Sequence, residues 1–258
     1  MELYLRNRIA VVTGGASGIG AASARALSRE GAQVAILDRD RERGTRVVSD
    51  ITGRGGRAIY VETDVTDEES VSRGVGETVT ALGAPDMVVC SAGVSGPVGK
   101  RVTETSRPEW DQVLSVNVTG MFLVAKHCLS YLENSPIATM VLIGSDASFV
   151  AFKGMTPYCA SKGAVLMFAK GLSVDHPAVR VNCICPSVVD TPMVRRDLSL
   201  DDDGIRNAAM PIMSADQLAG HVLFLASPAS APMNGAALVV DFGFTARAAF
   251  PELEFGSS

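Results

Sequence analysis

Short apolar segments alternate along the chain with longer segments that are apolar on one side only. The short segments are rich in Val, Ile and Ala, which is typical of strands buried on both faces of a parallel sheet. They predict strands at residues 8–13, 33–37, 57–61, 86–90, 139–143, 179–184 and 237–240. The longer segments predict helices at residues 21–29, 40–51, 67–80, 107–132, 158–174 and 214–226. Strands and helices therefore alternate, as they do in a parallel sheet with crossover helices.

Neither a change in composition nor a Pro- or Ser-rich linker divides this pattern, so we expect residues 1–258 to form one domain. The predicted fold class is α/β: a single doubly wound, Rossmann-type domain with a mostly parallel sheet of seven strands. Residues 186–213 depart from the alternation, and we expect a substrate loop there, because long excursions often cover binding sites. For the acidic run Asp201-Asp202-Asp203 within it, a solvated connector is an equally good interpretation.

Composition and charge argue against several classes of protein. The net charge of −5 disfavours a nucleic-acid-binding surface. No uninterrupted apolar run reaches membrane-spanning length, and residues 1–8 lack the apolar core of a signal peptide. We therefore expect a soluble cytoplasmic protein with neither a nucleic-acid nor a membrane partner. The five cysteines include no Cys-x2-Cys pair, so buried thiols are expected rather than a metal site.

A glycine-rich turn joins the first predicted strand to the first predicted helix. Gly14, Gly18 and Gly20 lack Cβ atoms, so the backbone can approach a pyrophosphate that the helix N-terminus stabilises. Asp38 ends the second strand, at about the interval expected for a carboxylate that accepts both ribose hydroxyls. Because this carboxylate repels a 2′-phosphate, NAD(H) is the predicted cofactor. Asp64, which ends the third strand, is expected either to contact adenine or to cap the following helix.

Tyr158 and Lys162 stand at i and i+4 of a predicted helix, so they lie on one face. Tyrosine titrates about three units above neutral pH, which is about 4 kcal/mol. One positive charge about 4 Å away supplies about 4 kcal/mol at an effective dielectric constant of about 20. Lys162 is therefore able to tune Tyr158 as an acid or base, although this spacing also recurs by chance on exposed helices.

Two further polar residues are candidates for the same site. Ser145 ends the fifth strand, and its hydroxyl is able to donate to a carbonyl or alkoxide oxygen beside the tyrosine. Asn117 lies in an otherwise apolar predicted helix. It either holds a backbone carbonyl or a water linked to Lys162, or is a satisfied buried amide, and the sequence favours neither.

These motifs resemble the short-chain dehydrogenase/reductase family over nearly the whole chain, about residues 5–245. The matching residues are Thr13-Gly14-x3-Gly18-Ile19-Gly20, Asp38, Asp64-Val65, Ser91-Ala92-Gly93, Asn117, Ser145, Tyr158-x3-Lys162 and Pro186-x4-Thr191-Pro192-Met193. Residues 118–122 and 181–186 look most like those of bacterial NAD-linked secondary-alcohol dehydrogenases. The resemblance implies that a secondary alcohol is oxidised or a ketone reduced with NAD as cofactor, by a homo-oligomer that is usually a tetramer or dimer.

The resemblance also implies a role for each matching residue. Tyr158 would be the general acid/base, and Lys162 would hold the nicotinamide ribose and tune Tyr158. Ser145 would orient the substrate oxygen, and Asn117 would complete a proton relay. The implied cofactor-binding residues are Gly14, Ser17, Gly18, Ile19, Asp38, Asp64, Val65, Ser91, Ala92, Gly93, Tyr158, Lys162, Pro186, Val189 and Thr191.

Three short motifs depart from the family pattern. Cys90-Ser91 stands where Asn-Asn is usual, Pro186-Ser187 replaces Pro-Gly, and Asp241-Phe242-Gly243 replaces Asp-Gly-Gly. All catalytic groups remain, so the departures bear on loop geometry and subunit packing. The alternative function is a non-catalytic dinucleotide sensor, against which the intact Ser145, Tyr158 and Lys162 argue.

The substrate pocket is the least determined part of the prediction. Its expected lining is Ser95, Gly96, residues 146–155 and residues 192–213. Phe149, Phe152, Met155 and Met193 would make it apolar, although core packing explains these side chains equally well. Arg195 and Arg196 either meet an anionic substrate group or lie on a solvated loop face, and we favour the loop face.

Overall fold

Seven parallel strands form the central sheet of the computed structural model, which describes residues 3–247. They are β1 (Ile9–Thr13), β2 (Gln33–Asp38), β3 (Arg57–Glu62), β4 (Met87–Cys90), β5 (Thr139–Ile143), β6 (Arg180–Pro186) and β9 (Ala237–Val240). Their order across the sheet is β3-β2-β1-β4-β5-β6-β9. All six pairings are parallel, from β2–β3 at one side to β6–β9 at the other. The predicted seven-stranded parallel sheet is confirmed.

Helices cover both faces of this sheet. They are α1 (Gly18–Arg29), α2 (Arg41–Gly53), α3 (Glu68–Ala81), α4 (Arg107–Leu114), α5 (Gly120–Leu132), α6 (Thr156–Asp175), α7 (Pro192–Asp197), α8 (Asp202–Arg206) and α9 (Ala215–Ala226). Apolar side chains of α1, α2 and α9 form the core on one face, and those of α3, α5 and α6 form it on the other. Along β1, Val11 faces one core while Ala10 and Val12 face the other, because strand side chains alternate between faces.

The direction of winding reverses between β1 and β4. From β1 the chain continues outward to β2 and β3, whereas β4 leads to β5, β6 and β9 on the opposite side. In open α/β sheets, ligands bind in the crevice at the carboxyl ends of the strands where the order reverses. The glycine turn after β1 and the Ser91-Ala92-Gly93 segment after β4 lie at this crevice.

The long helix predicted at 107–132 contains a π-helical turn. Residues Ser115–Thr119 form this turn between α4 and α5, with Asn117 at its centre. Turns of this kind carry one extra residue and often occur at functional sites. The whole stretch Arg107–Leu132 is long and apolar enough to span a membrane by composition, but half of its apolar window is buried, and α5 packs against α3 and β4. Its apolar character is therefore that of a core helix.

Residues 186–213 are more ordered than the prediction of a simple loop. β7 (Val189–Asp190) pairs with β8 (Met213–Ser214) and brings the two ends of the segment together. α7 and α8 lie between them. The acidic run is structural in part, because Asp201 caps α8 by accepting from the Gly204 amide at 2.8 Å. Asp202 pairs with Arg195 at 2.6 Å. All three aspartates are nevertheless exposed, so these contacts are compatible with a solvated connector.

Candidate active site

The glycine turn packs tightly against the ends of two other strands. Gly14 has φ +65°, and a Cβ at this position would lie 2.7 Å from the Ala92 amide nitrogen. Gly18 has φ +48°, and a Cβ there would lie 3.1 Å from Thr191 Cγ2. Both positions therefore need glycine for backbone conformation and for space. The turn brings the segments after β1, β4 and β6 together around one cleft.

This cleft has a volume of about 480 Å³ and contains most of the predicted cofactor-binding residues. Those in its lining are Gly14, Ser17, Gly18, Ile19, Asp38, Asp64, Val65, Ser91, Ala92, Gly93 and Thr191. A smaller cavity of about 100 Å³ shares Ile19, Ser91, Gly93 and Thr191 with the cleft and adds Ser145, Tyr158, Lys162, Pro186 and Val189. The glycine cradle and the cleft fit a dinucleotide.

Two aspartates line the far end of the cleft. The Asp38 carboxylate accepts from the Ala16 amide and the Asp40 amide, each at 3.0 Å, and is thereby held beside the glycine turn. Asp64 accepts hydrogen bonds from the amide and the hydroxyl of Thr66 at 2.9 and 2.8 Å. The hydrogen bond from the Thr66 amide is the main cause that lowers the pKa of Asp64. The cap of α3 is Asp67, which accepts from the Glu69 amide. Of the two interpretations of Asp64, the helix cap is therefore wrong.

Tyr158 and Lys162 lie one turn apart in α6 beneath the cleft. The Lys162 ammonium donates to the Ile143 carbonyl at 2.8 Å and lies 5.5 Å from the Tyr158 ring centroid. Burial lowers the pKa of Lys162 to about 8. Burial also raises the pKa of Tyr158 to about 12, against a hydrogen-bond contribution from Ser145 in the opposite direction. Burial therefore raises the pKa of Tyr158 even though Lys162 lies beside its ring.

Asn117 is fully buried, and both ends of its amide are hydrogen-bonded. Oδ1 accepts from the Val94 amide at 2.8 Å, and Nδ2 donates to the Val94 carbonyl at 2.9 Å and to Ser161 Oγ at 3.0 Å. The side chain thus joins the segment after β4 to α6, next to Tyr158 and Lys162. The side chain therefore holds a backbone carbonyl, as one interpretation has it, and is also a satisfied buried amide, as the other has it.

Asp146 is a buried carboxyl at this site. From the sequence it is expected only as one of the pocket-lining residues 146–155. Its Oδ1 accepts from Ser145 Oγ and from the Ala147 amide, both at 2.8 Å. Burial raises the pKa of Asp146, and the charge of Asp241 acts in the same direction. The position directly after Ser145 was a signal for this residue.

The two arginines of α7 have different surroundings. Arg195 forms a bidentate ion pair with Asp190 at 2.6 and 2.9 Å and a second pair with Asp202, so its charge is engaged within the segment. Arg196 donates to Ser95 Oγ at 2.9 Å and pairs with the adjacent Asp197. The first contact ties α7 to the segment after β4 across the cleft. Both arginines thus pair with groups of the protein, while Arg196 is exposed and Arg195 partly exposed, which is compatible with the favoured loop face.

The predicted substrate side of the site is closed by contacts between loops. The Gly99 amide donates to the Gly154 carbonyl at 3.0 Å, which joins the segments before α4 and α6. Phe152 stacks on Phe244 with ring centroids 6.1 Å apart, so the segment after β9 also borders this region. Phe149 is 47% exposed, which excludes core packing as the reason for this side chain.

A family model described as enoyl-(acyl carrier protein) reductase matches residues 14–245. A 2-(R)-hydroxypropyl-CoM dehydrogenase of Xanthobacter autotrophicus is 36% identical over 255 residues, which cover 93% of this chain and 99% of that protein. The chain belongs to the short-chain dehydrogenase/reductase family. The resemblance inferred from the motifs is confirmed, and the chain is an oxidoreductase.

Two further members of the short-chain dehydrogenase/reductase family match along nearly their full length. A cyclopentanol dehydrogenase of Comamonas sp. is 32% identical, over 94% of this chain and 99% of that protein. The crystal structure of a 3-ketoacyl-(acyl-carrier-protein) reductase from Brucella melitensis complexed with NADH has a TM-score of 0.84 and 27% identity, covering 93% of this chain and 98% of that one.

The departures from the short-chain dehydrogenase/reductase pattern have local structural consequences. At Cys90-Ser91 the contact between the ends of β1 and β4 is kept, because the Ser91 backbone amide, which does not depend on the side chain, donates to Thr13 Oγ1 at 3.2 Å. Phe242 has φ +55°, a backbone conformation that favours glycine, which is usual there. Ser187 faces the Asp146 carboxyl, where the usual glycine has no side chain. The sequence places Thr13 in the glycine motif and Asp146 in the expected pocket lining, but it assigns neither residue a role.

Proposed function

We propose that this protein transfers a hydride between NAD(H) and a secondary alcohol or its ketone. The observation that carries the proposal is the small cavity that Ser145, Tyr158 and Lys162 share and that continues into the glycine-turn cleft. The cofactor, when bound, accepts the hydride from the alcohol carbon or returns it to the ketone carbon. The protein groups bind and orient both partners and handle the proton.

Tyr158 is the proposed general acid/base. In oxidation it takes the hydroxyl proton of the substrate, and in reduction it donates this proton to the carbonyl oxygen. Its raised pKa means that it carries its proton at neutral pH in the protein alone. The positive charge of Lys162 beside the phenol, and that of an oxidised cofactor, would favour the tyrosinate that oxidation needs.

Ser145 and Asn117 have supporting roles in the proposal. Ser145 Oγ lies beside the Tyr158 phenol and orients the substrate oxygen by hydrogen bonding. We propose that Asn117 contributes to the relay by positioning, because its amide already holds Val94 and Ser161. Lys162 completes the relay and holds the nicotinamide ribose.

We propose NAD(H) rather than NADP(H) because Asp38 presents a carboxylate to the cleft at the end of β2. A 2′-phosphate at this end would meet a like charge. The remaining residues of the cleft lining contact the cofactor along its length. Val189 and Thr191 are proposed to contact its carboxamide end.

A small secondary alcohol is the proposed substrate class. Cyclopentanol, in the name of one relative, and a 2-hydroxypropyl group, in that of another, are both secondary alcohols, which supports this class. We further propose that residues 1–258 act as one catalytic unit in the cytoplasm, with residues 186–213 bordering the substrate.

Homo-oligomer formation is part of the same proposal. Phe122 on α5, Met167 on α6 and Val239 on the outer strand β9 are exposed apolar side chains that a second copy would cover. A monomer in sedimentation velocity at micromolar concentration would contradict this.

The test is NADH formation from NAD+ across a panel of cyclic and linear secondary alcohols. We expect turnover with at least one of them, and Tyr158→Phe is expected to lower kcat by a factor of about 10²–10⁴ because the proton acceptor is lost. NAD+ affinity, measured by calorimetry, should persist in that variant. Near-normal turnover of Tyr158→Phe would exclude the mechanism. NAD+ binding without turnover of any alcohol or ketone is the result expected of a dinucleotide sensor.

A further inference from the structure

A buried carboxyl lies directly beside the proposed catalytic serine and has no role in the mechanism described so far. Asp146 is only 5% exposed and follows Ser145 at the end of β5. An ionised carboxylate in such a place is costly unless other groups donate hydrogen bonds to it. Its neighbours therefore indicate what it does.

The Ser145 hydroxyl donates its hydrogen bond to this carboxyl. Ser145 Oγ donates to Asp146 Oδ1 at 2.8 Å, and the Ala147 amide donates to the same Oδ1 at 2.8 Å. A serine hydroxyl has a single proton. While Ser145 donates to Asp146, it offers only its lone pairs to Tyr158 and to a substrate oxygen.

We propose that Asp146 is a positioning residue that holds the Ser145 proton away from the substrate oxygen when the carboxyl is ionised and releases it when the carboxyl is protonated. The inference rests on the proposed function, because it concerns how strongly Ser145 donates to the substrate in that reaction. It assigns Asp146 a regulatory effect on the rate that the motif residues alone do not imply.

The groups around Asp146 determine when it ionises. Burial and the negative charge of Asp241, which lies beyond β9, raise its pKa, whereas hydrogen bonds from Ser145, Ala147 and Ser187 act against this. Asp241 itself is held ionised by Thr245 and the Gly243 amide.

The carboxylate also acts on the proposed general base. On α6, the titratable group that faces Asp146 is Tyr158, and the charge of Asp146 raises the pKa of that phenol. Asp197 of α7 acts on the same phenol in the same direction. Ionised Asp146 thus both withholds the serine proton and opposes the tyrosinate that oxidation needs.

The direction of the pH effect follows. A charged acceptor holds a hydrogen-bond donor more strongly than a neutral one. Ionisation of Asp146 should therefore shift the choice of Ser145 between Asp146 and the substrate oxygen by about fivefold toward Asp146. Ketone reduction should therefore slow by about fivefold as the pH rises through the pKa of Asp146. Asp146→Asn retains an oxygen acceptor without the charge, so its rate should stay at the faster level.

The experiment measures kcat as a function of pH, for both oxidation of the alcohol and reduction of the ketone. It compares the wild-type protein, Asp146→Asn and Ser187→Gly. In Asp146→Asn, kcat for ketone reduction is expected not to fall as the pH rises. At pH values above the pKa of Asp146 it should exceed the wild-type kcat by about fivefold. Ser187→Gly removes a hydrogen bond that favours the ionised carboxyl, so it should move the decline to higher pH. Oxidation by Asp146→Asn should begin at lower pH, because Tyr158 loses a neighbouring negative charge.

Stability gives a readout that does not depend on turnover. Because folding raises the pKa of Asp146, its contribution to the free energy of unfolding is present at low pH and is lost as the pH rises through the raised value. Urea unfolding of Asp146→Asn should lack this loss, while NAD+ affinity stays at the wild-type value.

Several outcomes would overturn the inference. They are an Asp146→Asn variant that is slower than the wild type at every pH, one that keeps the decline, and a Ser187→Gly variant whose decline does not move. The last decides the matter even if Asp146→Asn fails to fold. A wild-type protein that turns over no alcohol or ketone would refute the proposed function itself, and this inference with it, before any variant is compared.

Discussion

Replacing Asn117 by alanine tests whether this residue serves catalysis or only stability. Its side chain joins the segment after β4 to α6 through the amide and carbonyl of Val94 and the hydroxyl of Ser161. In Asn117→Ala the amide and carbonyl of the partly buried Val94 lose the partner that the fully buried Asn117 supplies. Ser161 keeps its bond to the Tyr158 carbonyl at 2.7 Å.

The expected loss of stability can be worked out from these contacts. Each buried backbone group left without a partner costs about 1–3 kcal/mol, so two of them cost about 4 kcal/mol. In a chain of this size each kcal/mol lowers the Tm by about 2–4 °C. Asn117→Ala should therefore unfold about 10 °C below the wild-type protein.

A matched control is available in Asn182, which is also fully buried. It donates to the Met233 carbonyl at 2.9 Å and accepts from the Ala236 amide at 3.0 Å, so its loss also orphans two backbone groups. Asn182→Ala should lose about as much stability, about 4 kcal/mol. This residue does not line the cofactor cleft or the cavity at Tyr158.

Two measurements are compared for the wild-type protein and the two variants. Urea unfolding gives the stability, and NADH formation, at a temperature where all three proteins are folded, gives kcat. We expect Asn117→Ala to lose about tenfold or more in kcat, because small displacements of catalytic groups are costly. Asn182→Ala should keep the wild-type kcat. Equal kcat values in the two variants would refute a role for Asn117 beyond stability. An Asn117→Ala variant as stable as the wild type would refute the hydrogen-bond reasoning itself.

Two more substitutions test the charges at the site. Asp38→Ser removes the carboxylate from the cleft, so NADP+ affinity, measured by calorimetry, should rise about tenfold, or about 1.4 kcal/mol; tighter binding of NADP(H) than NAD(H) by the unmodified protein would contradict the assignment. Lys162→Met should abolish turnover yet stabilise the fold at neutral pH. Burial lowers the pKa of Lys162 from 10.5 to about 8, so the buried ammonium costs about 3 kcal/mol of folding stability. Replacement by methionine removes this cost but also loses about 1 kcal/mol from the hydrogen bond to the Ile143 carbonyl. The gain of about 2 kcal/mol in urea unfolding should fade between the folded and unfolded pKa values, where the unfolded chain binds more protons; a variant less stable at neutral pH would show that the buried charge is not costly.

The alternation of apolar and amphipathic segments predicts both the sheet and the edge of it at which the candidate groups converge. Seven apolar segments separated by amphipathic ones determine a parallel sheet, because a strand covered by helices on both faces must be apolar throughout. The glycine turn, Asp38, Ser145 and Tyr158 follow the ends of such strands or begin a helix after one. Parallel strands end at the same edge, so the sequence also indicates that these groups converge.

Other features depend on contacts between segments that are distant in the chain. The partners of Asn117 lie 23 and 44 residues away, and Arg196 reaches Ser95 across 101 residues. Local periodicity carries no information about such pairs. The two interpretations left open for Asn117, and the environment of Arg195 and Arg196, therefore needed the tertiary structure.

The pKa of Tyr158 shows the same division most clearly. The spacing to Lys162 and the strength of a charge at about 4 Å predict that the lysine lowers this pKa. The folded chain buries the phenol and places Asp146 and Asp197 near it, and together these raise the pKa to about 12. Sequence spacing determines which groups meet, whereas desolvation and the other charges at the site arise only when the whole chain has packed.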